Sequence, residues 1–252
     1  MAGTAVRGRL TWTLGTVVEL ADQTERVRSI LLEVPGWPGH RPGQHVDVRL
    51  TAEDGYQAQR SYSIASAPGE RLLELAVELL PDGEVSPYLT RELRVADRLE
   101  LRGPVGGWFV WEPALGGPLL LVGGGSGIVP LVAIARHRAA VAGGAEVPAR
   151  LLYSARTRAD VLFAGDLERL AGSPGGLEVV GTLTRERPPG WPGRTGRVDA
   201  GLLAEVAWPA ARRPLAFVCG PTGFVELVAG ALAGLGLEPG RIRTERFGPT
   251  GT

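Results

Sequence analysis

The chain has 252 residues, 44% of them hydrophobic, and its 27 basic side chains balance 27 acidic ones. That length suits two modest cores, and zero net charge excludes a global field drawing the chain to nucleic acid or an anionic membrane. No lysine occurs, which excludes lysine-based covalent catalysis, and the single Cys219 excludes an internal disulfide or a cysteine-ligated iron–sulfur cluster built from this chain alone.

Residues Met1 to Leu10 carry arginines but no apolar core of signal length. No apolar run approaches the roughly 18 residues of a membrane span, so a cytoplasmic location is expected. From Leu10 to Leu101 short β-type segments alternate with Gly, Pro and Asp: Trp12 to Leu20, Val27 to Val34, His45 to Leu50, Gln59 to Ala65, Leu72 to Leu80 and Arg98 to Arg102. One helical stretch, Val85 to Leu93, interrupts them, and the pattern predicts an antiparallel β-barrel.

After Trp111 the rhythm becomes strand then helix. Strands are expected at Pro118 to Val122, Ala149 to Ser154, Leu177 to Leu183 and Leu215 to Cys219. Helices are expected at Ile128 to Ala142, Ala164 to Ala171, Ala200 to Ala207 and Gly223 to Gly234. This is the α/β alternation of a parallel sheet with helices on both faces. Glu112 to Gly117 reads as the linker, giving a barrel domain over 1–113 and an α/β domain over 114–252, while Arg185 to Gly196 reads as a loop.

Three short segments carry chemistry. Strand alternation sends Arg60 and Tyr62 of Arg60-Ser61-Tyr62-Ser63 to one face and Ser61 and Ser63 to the other, which suits an ordinary edge strand or a phosphate-and-aromatic site. In Gly83-Glu84-Val85-Ser86-Pro87, Ser86 is a good helix N-cap and Pro87 a good first helical residue; a capped helix start is also an anion site. Gly123-Gly124-Gly125-Ser126-Gly127-Ile128-Val129-Pro130 follows a strand and opens a helix, the context of a dinucleotide-phosphate turn. It lacks the last glycine of Gly-x-Gly-x-x-Gly, which disfavours an ordinary dinucleotide dehydrogenase. Ser154, Arg156 and Arg158 suit an adenosine 2′-phosphate better than a free 2′-hydroxyl, although arginine fills every basic position here. Cys219 suits a small core residue or a site residue. His40, His45 and His137 lack ligand spacing, so they read as structural or exposed and no metal site is expected.

In their order and separation, Arg60 to Ser63, the Gly123 to Pro130 turn, and Cys219-Gly220-Pro221 beside the closing Glu245-Arg246-Phe247 resemble the ferredoxin–NADP reductase superfamily across nearly the whole chain. The resemblance implies a Greek-key FAD-binding barrel, then a Rossmann-like NAD(P)-binding domain. It places FAD against Arg60, Ser61, Tyr62, Ser63, Ile64, Ala65, Val77, Gly83, Val85, Ser86 and Phe247. It places NADPH or NADH, with NADPH favoured, against Gly124, Gly125, Ser126, Gly127, Pro130, Ser154, Arg156, Arg158, Cys219, Gly220 and Pro221. Ser63, Cys219 and Glu245 would surround the reacting rings, positioning them rather than acting as nucleophiles. The implied activity is hydride transfer from nicotinamide to flavin, followed by electron release to a separate ferredoxin-like carrier or oxygenase component. Reduction of a diffusible acceptor such as free flavin or chelated iron, and a flavin-bearing subunit of a larger complex, are the alternatives. Some family members end on an aromatic that covers the flavin, whereas this chain runs on past Phe247 to Thr252.

Overall fold

A computed structural model describes residues 10–248. The first sheet comprises β1 (Trp12–Thr24), β2 (Val27–Glu33), β3 (His45–Thr51), β4 (Gln57–Ser63), β5 (Leu73–Glu78) and β6 (Arg98–Val105). Its order is β4-β3-β6-β1-β2-β5, with every neighbouring pair antiparallel. An antiparallel bridge between Ile64 and Leu75 joins the two ends and closes the barrel. Its interior holds Val17, Ile30, Leu32, Val48, Leu75 and Leu101, the inward members of alternating strands.

The helical stretch expected over Val85 to Leu93 is present as two α-helical residues, Ser86 and Pro87, running into a π-helical turn, Tyr88–Glu92. Leu93 N–H reaches back five residues to the Tyr88 carbonyl at 3.0 Å. Pro87 supplies no N–H, and Thr90 Oγ1 donates to the Ser86 carbonyl at 2.7 Å, so local side-chain bonding replaces part of the α ladder. Ser86 does not cap this turn. Its Oγ accepts the Leu80 N–H at 3.0 Å and fastens the preceding loop.

The second sheet is parallel throughout, in the order β10-β9-β8-β7-β11-β12. It comprises β7 (Leu119–Gly124), β8 (Ala149–Ala155), β9 (Glu178–Leu183), β10 (Arg194–Thr195), β11 (Leu215–Pro221) and β12 (Ile242–Phe247). Helices α1 (Ile128–Ala140), α2 (Ala164–Gly172), α3 (Ala200–Val206) and α4 (Thr222–Gly234) cover its two faces. Leu119 to Val122 are all buried, because a central parallel strand is covered on both sides. β7 has β8 on one side and β11 on the other, so the strand order reverses there and leaves a crevice beyond the strand ends.

A buried ion cluster joins the sheets. Arg136 of α1 donates to Glu74 of β5 at 2.5 Å, to the Ala65 carbonyl at 2.9 Å and to Asp166 of α2. Glu74 also accepts the Ser29 hydroxyl at 2.8 Å, so both carboxylate oxygens are satisfied.

Candidate functional site

The β7–α1 turn is shaped by side chains that are absent. A Cβ on Gly127 would lie 2.2 Å from the Cys219 carbonyl oxygen, an impossible approach for any other residue. Gly125 has φ +56° and open space around it. Cβ atoms on Gly124 and Gly220 would stand 3.1 and 2.8 Å from the Phe224 ring, which covers both strand ends. The turn therefore presents bare backbone at a helix start, a cradle that fits a nucleotide pyrophosphate. A cavity of about 240 Å³ opens beside it, lined by Gly124, Gly125, Ser126, Ser154, Arg156 and Phe247. The turn does not leave the Ser126 hydroxyl free, for its Oγ donates to Glu78 of β5 at 2.7 Å.

At the end of β8, Ser154 is buried and Arg156 exposed, both lining the cavity, with no acidic partner for Arg156 among the described residues. Asp160, also on the cavity wall, is engaged by the Thr157 N–H at 3.0 Å and hydroxyl at 2.6 Å. Arg158 donates its backbone N–H to Glu186 and leaves its side chain exposed.

On the barrel, Arg60 lines a groove with Trp12, Arg49, Tyr56, Glu84 and Arg102. Arg60 Nη2 donates to Glu84 Oε2 at 2.7 Å, and Glu84 Oε1 accepts the Tyr56 hydroxyl at 2.6 Å. Both members of the ion pair are about half exposed, so an arriving phosphate can exchange with the carboxylate. The groove fits an anionic cofactor in this sense. Tyr62 is largely covered, and burial pushes its hydroxyl up to about 12, keeping the phenol neutral.

Five positions expected at the flavin make contacts within the chain. Ser61 Oγ donates to Asp47 Oδ1 at 2.7 Å, a carboxylate that also takes Arg102 at 2.7 Å. Ile64 and Val77 fill the barrel core, and the Ile64 N–H is bonded to the Gln44 carbonyl at 3.0 Å. Ala65 donates to the Glu74 carbonyl at 2.8 Å and accepts from Arg136, so its backbone is committed to barrel closure and the sheet contact. Val85 is likewise in the barrel core, and Pro130 is buried in the first turn of α1. A Cβ on Gly83 would lie 3.1 Å from both the Leu80 carbonyl and Ser86 Oγ, which explains the glycine.

The expected trio converges at the seam between the sheets. β12, not foreseen as a strand, pairs in parallel with β11 and sets Glu245 opposite Cys219 and Phe247 opposite Pro221. Glu245 Oε1 lies 3.9 Å from His45 Nδ1, and His45 stands opposite Ser63 across β3 and β4. Burial raises Glu245 to about 7. The Cys219 thiol is raised well above its ordinary value by burial and by Glu245, so it remains neutral. His45 was expected to be structural or exposed; it is half-buried here because the β3 start meets β12. Glu78 and His45 carry no local motif, since only the pairing of distant strands brings them to the cleft, whereas Phe224 arrives on α4 directly after β11.

A barrel groove rich in cations, a glycine cradle at a strand-order reversal, and a thiol, hydroxyl and carboxylate at the seam define an oxidoreductase with two nucleotide sites. Two family models match in that order: Oxidoreductase FAD-binding domain over residues 17–110, and Oxidoreductase NAD-binding domain over residues 121–230. The aromatic O-demethylase reductase subunit of an Amycolatopsis species is 33% identical over 98% of this chain and 73% of its own length. The ferredoxin–NAD(P)+ reductase component of the naphthalene 1,2-dioxygenase/salicylate 5-hydroxylase systems of a Ralstonia species is 30% identical over 94% and 69%. Among solved structures, the flavohaem-like FAD/NAD-binding domain of a Vibrio cholerae nitric oxide dioxygenase superposes with a TM-score of 0.83 at 26% identity, covering 94% of this chain and 99% of that one. An Amycolatopsis cytochrome P450 reductase gives 0.80 at 31% identity, covering 98% and 74%. The chain belongs to the ferredoxin–NADP reductase superfamily of FAD- and NAD(P)-binding oxidoreductases.

Proposed function

We propose that this flavoprotein oxidises NADPH in preference to NADH and passes electrons singly to a separate ferredoxin-like carrier or oxygenase component. The observation that carries the reading is the convergence of Ser63, His45, Glu245 and Cys219 where the barrel meets the cradle sheet. FAD, when bound, supplies the exchange between two-electron and one-electron chemistry. Arg60 would hold its phosphates once released from Glu84, Tyr62 would pack against its ring system, and the Gly83 to Ser86 loop would border it. The Gly124 to Gly127 backbone would hold the nicotinamide nucleotide's phosphates. Arg156, exposed and without an acidic partner among the described residues, would take the adenosine 2′-phosphate, with Ser154 below it and Arg158 alongside. Cys219, Gly220 and Pro221 would border the nicotinamide, with Phe247 shielding the rings from water.

The relatives' names support the partner, since one is a ferredoxin–NAD(P)+ reductase component and the other an O-demethylase reductase subunit. The domain boundary at 113/114 belongs to the same proposal; it falls in the short 3-10 turn Pro113–Leu115 between the two sheets. So does a cytoplasmic location, which suits dependence on the cell's NADPH pool. Among the described residues no helix is long and apolar enough to cross a membrane.

Anaerobic visible spectroscopy of the purified protein tests the reading. Bound-flavin bands should bleach on adding stoichiometric NADPH, more slowly with NADH, and Arg156→Ala should narrow that difference about tenfold or more. A protein that takes up no flavin when FAD is supplied, or whose flavin neither nucleotide bleaches, overturns it. Equal rates with both nucleotides overturn the NADPH preference alone.

A further inference from the structure

We propose that Glu78 holds the place of the nucleotide's phosphates: its carboxylate engages the Ser126 hydroxyl until NAD(P)H arrives, and so sets how tightly the cradle keeps its nucleotide. This rests on the reductase reading above.

The alternation of β5 brings Glu78 to the cradle. Leu73, Leu75 and Val77 point into the barrel core, so Glu74, Ala76 and Glu78 point outward. That outer face meets the second sheet at every one of these positions. Glu74 takes Arg136, Ala76 joins the apolar cluster of Ile128, Leu131 and Phe217, and Glu78 Oε2 accepts the Ser126 hydroxyl at 2.7 Å. The two carboxylates therefore stand in different company. Glu74 is buried against a cation, whereas Glu78 is half-buried and has no cationic partner among the described residues. Arg26, the cation that the barrel adds to the cavity wall, donates instead to the Leu79 carbonyl at 3.1 Å.

A serine hydroxyl carries one hydrogen, and a carboxylate and an ionised phosphate are both acceptors only. Ser126 can therefore serve Glu78 or a phosphate, and not both at once. The turn that bears it, Gly125–Gly127, is the stretch whose bare backbone fits a pyrophosphate, so an arriving nucleotide meets this hydroxyl already engaged. Binding displaces an acceptor that was satisfied and leaves its charge beside a second anion. Both effects weaken nucleotide binding, and both hasten departure of the oxidised nucleotide, because the internal acceptor returns to its donor. Glu78 belongs to the barrel and Ser126 to the parallel sheet, so each nucleotide that binds also opens one contact between the sheets.

The other acidic groups of this region are engaged elsewhere. Asp160, on the same cavity wall, holds the Thr157 N–H and hydroxyl. Glu186 accepts the Arg158 N–H, and Asp166 is shared by Arg136 and Arg169. Glu78 touches no reacting atom and acts through Ser126, as a positioning residue.

Calorimetric titration of the FAD-loaded protein with NADP+ and with NAD+ tests this. Glu78→Gln should bind each nucleotide about fivefold more tightly or better, because a neutral amide holds the hydroxyl less firmly than a carboxylate and repels no phosphate. The factor should be the same for both, since they share the pyrophosphate and differ only at the adenosine ribose. Glu78→Ala carries the same expectation should Glu78→Gln take up FAD poorly. In a Ser126→Ala background the gain should shrink to about twofold or less, the contested hydroxyl being gone. Steady-state turnover with ferricyanide should show KM for NADPH falling with no rise in kcat, a split that a purely structural contact would not produce. Unchanged or weakened nucleotide binding in both Glu78 variants overturns the proposal, and so does a gain of equal size without the Ser126 hydroxyl. NADPH that binds without bleaching the flavin would overturn the reductase reading while leaving the NADP+ titration to report on Glu78.

Discussion

The glycine turn of the parallel sheet and the Arg60 strand of the barrel offer surfaces suited to anions that are built by opposite means. At the turn, Gly124, Gly125, Gly127 and Gly220 bring backbone and ring surfaces to distances that any Cβ would block. On the barrel, the side chains are long, charged and already paired: Arg60 with Glu84, Arg102 with Asp47, Arg49 with Glu100. The first surface is fixed by sterics and insensitive to salt or pH. The second is held by exchangeable partners, so its behaviour depends on which anion is present and on the proton concentration.

That contrast can be broken at several points. Arg136→Ala should have the largest effect, about 3–4 kcal/mol by urea denaturation, because it strands the buried Glu74 carboxylate at the sheet contact. Arg136→Ala with Glu74→Gln should recover much of that loss, whereas an ion pair of no structural weight would show neither effect. Gly127→Ala should cost about 2–3 kcal/mol, with weakened nucleotide affinity that added salt does not restore. Unchanged affinity would show that the turn relaxes freely.

Glu245→Gln should change stability in a pH-dependent way. Burial raises the folded-state carboxyl from 4.5 to about 7, so the folded protein binds this proton more tightly than the unfolded chain. That contribution is complete below the unfolded value and is lost as pH rises through about 7. Discounted for partial exposure, the variant should gain about 2 kcal/mol relative to wild type between pH 5 and pH 8, read from melts at the two pH values. The smallest expected effect is at Glu84→Gln, which frees Arg60 and should tighten FAD binding a few-fold in a flavin-fluorescence titration, less so at high salt.

Legibility followed the same division. Segments whose chemistry is local could be read directly: the alternating barrel strands, the buried run Leu119 to Val122, and the glycine turn with its helix. β12 was hidden because Arg243 and Glu245 point into the seam, so its sequence shows a polar pattern unlike a covered strand. The π-helical turn was hidden because Ser86 and Pro87 form a convincing helix start whose hydroxyl is claimed by Leu80. His45 and Glu78 reach the cleft only through strand register and the meeting of two sheets, and neither carries a motif. Ile64 and Ala65 directly follow a recognisable motif, but their partners are set by barrel closure.

The Arg136 cluster also ties α1 to the barrel close to the glycine turn. It sits nine residues along α1 from Gly127, a lever of about 13 Å at the helical rise. A rocking motion of about 10° about that point would displace the glycine turn by only about 2 Å. A tie placed so near the turn keeps any displacement of the glycine turn against the barrel short.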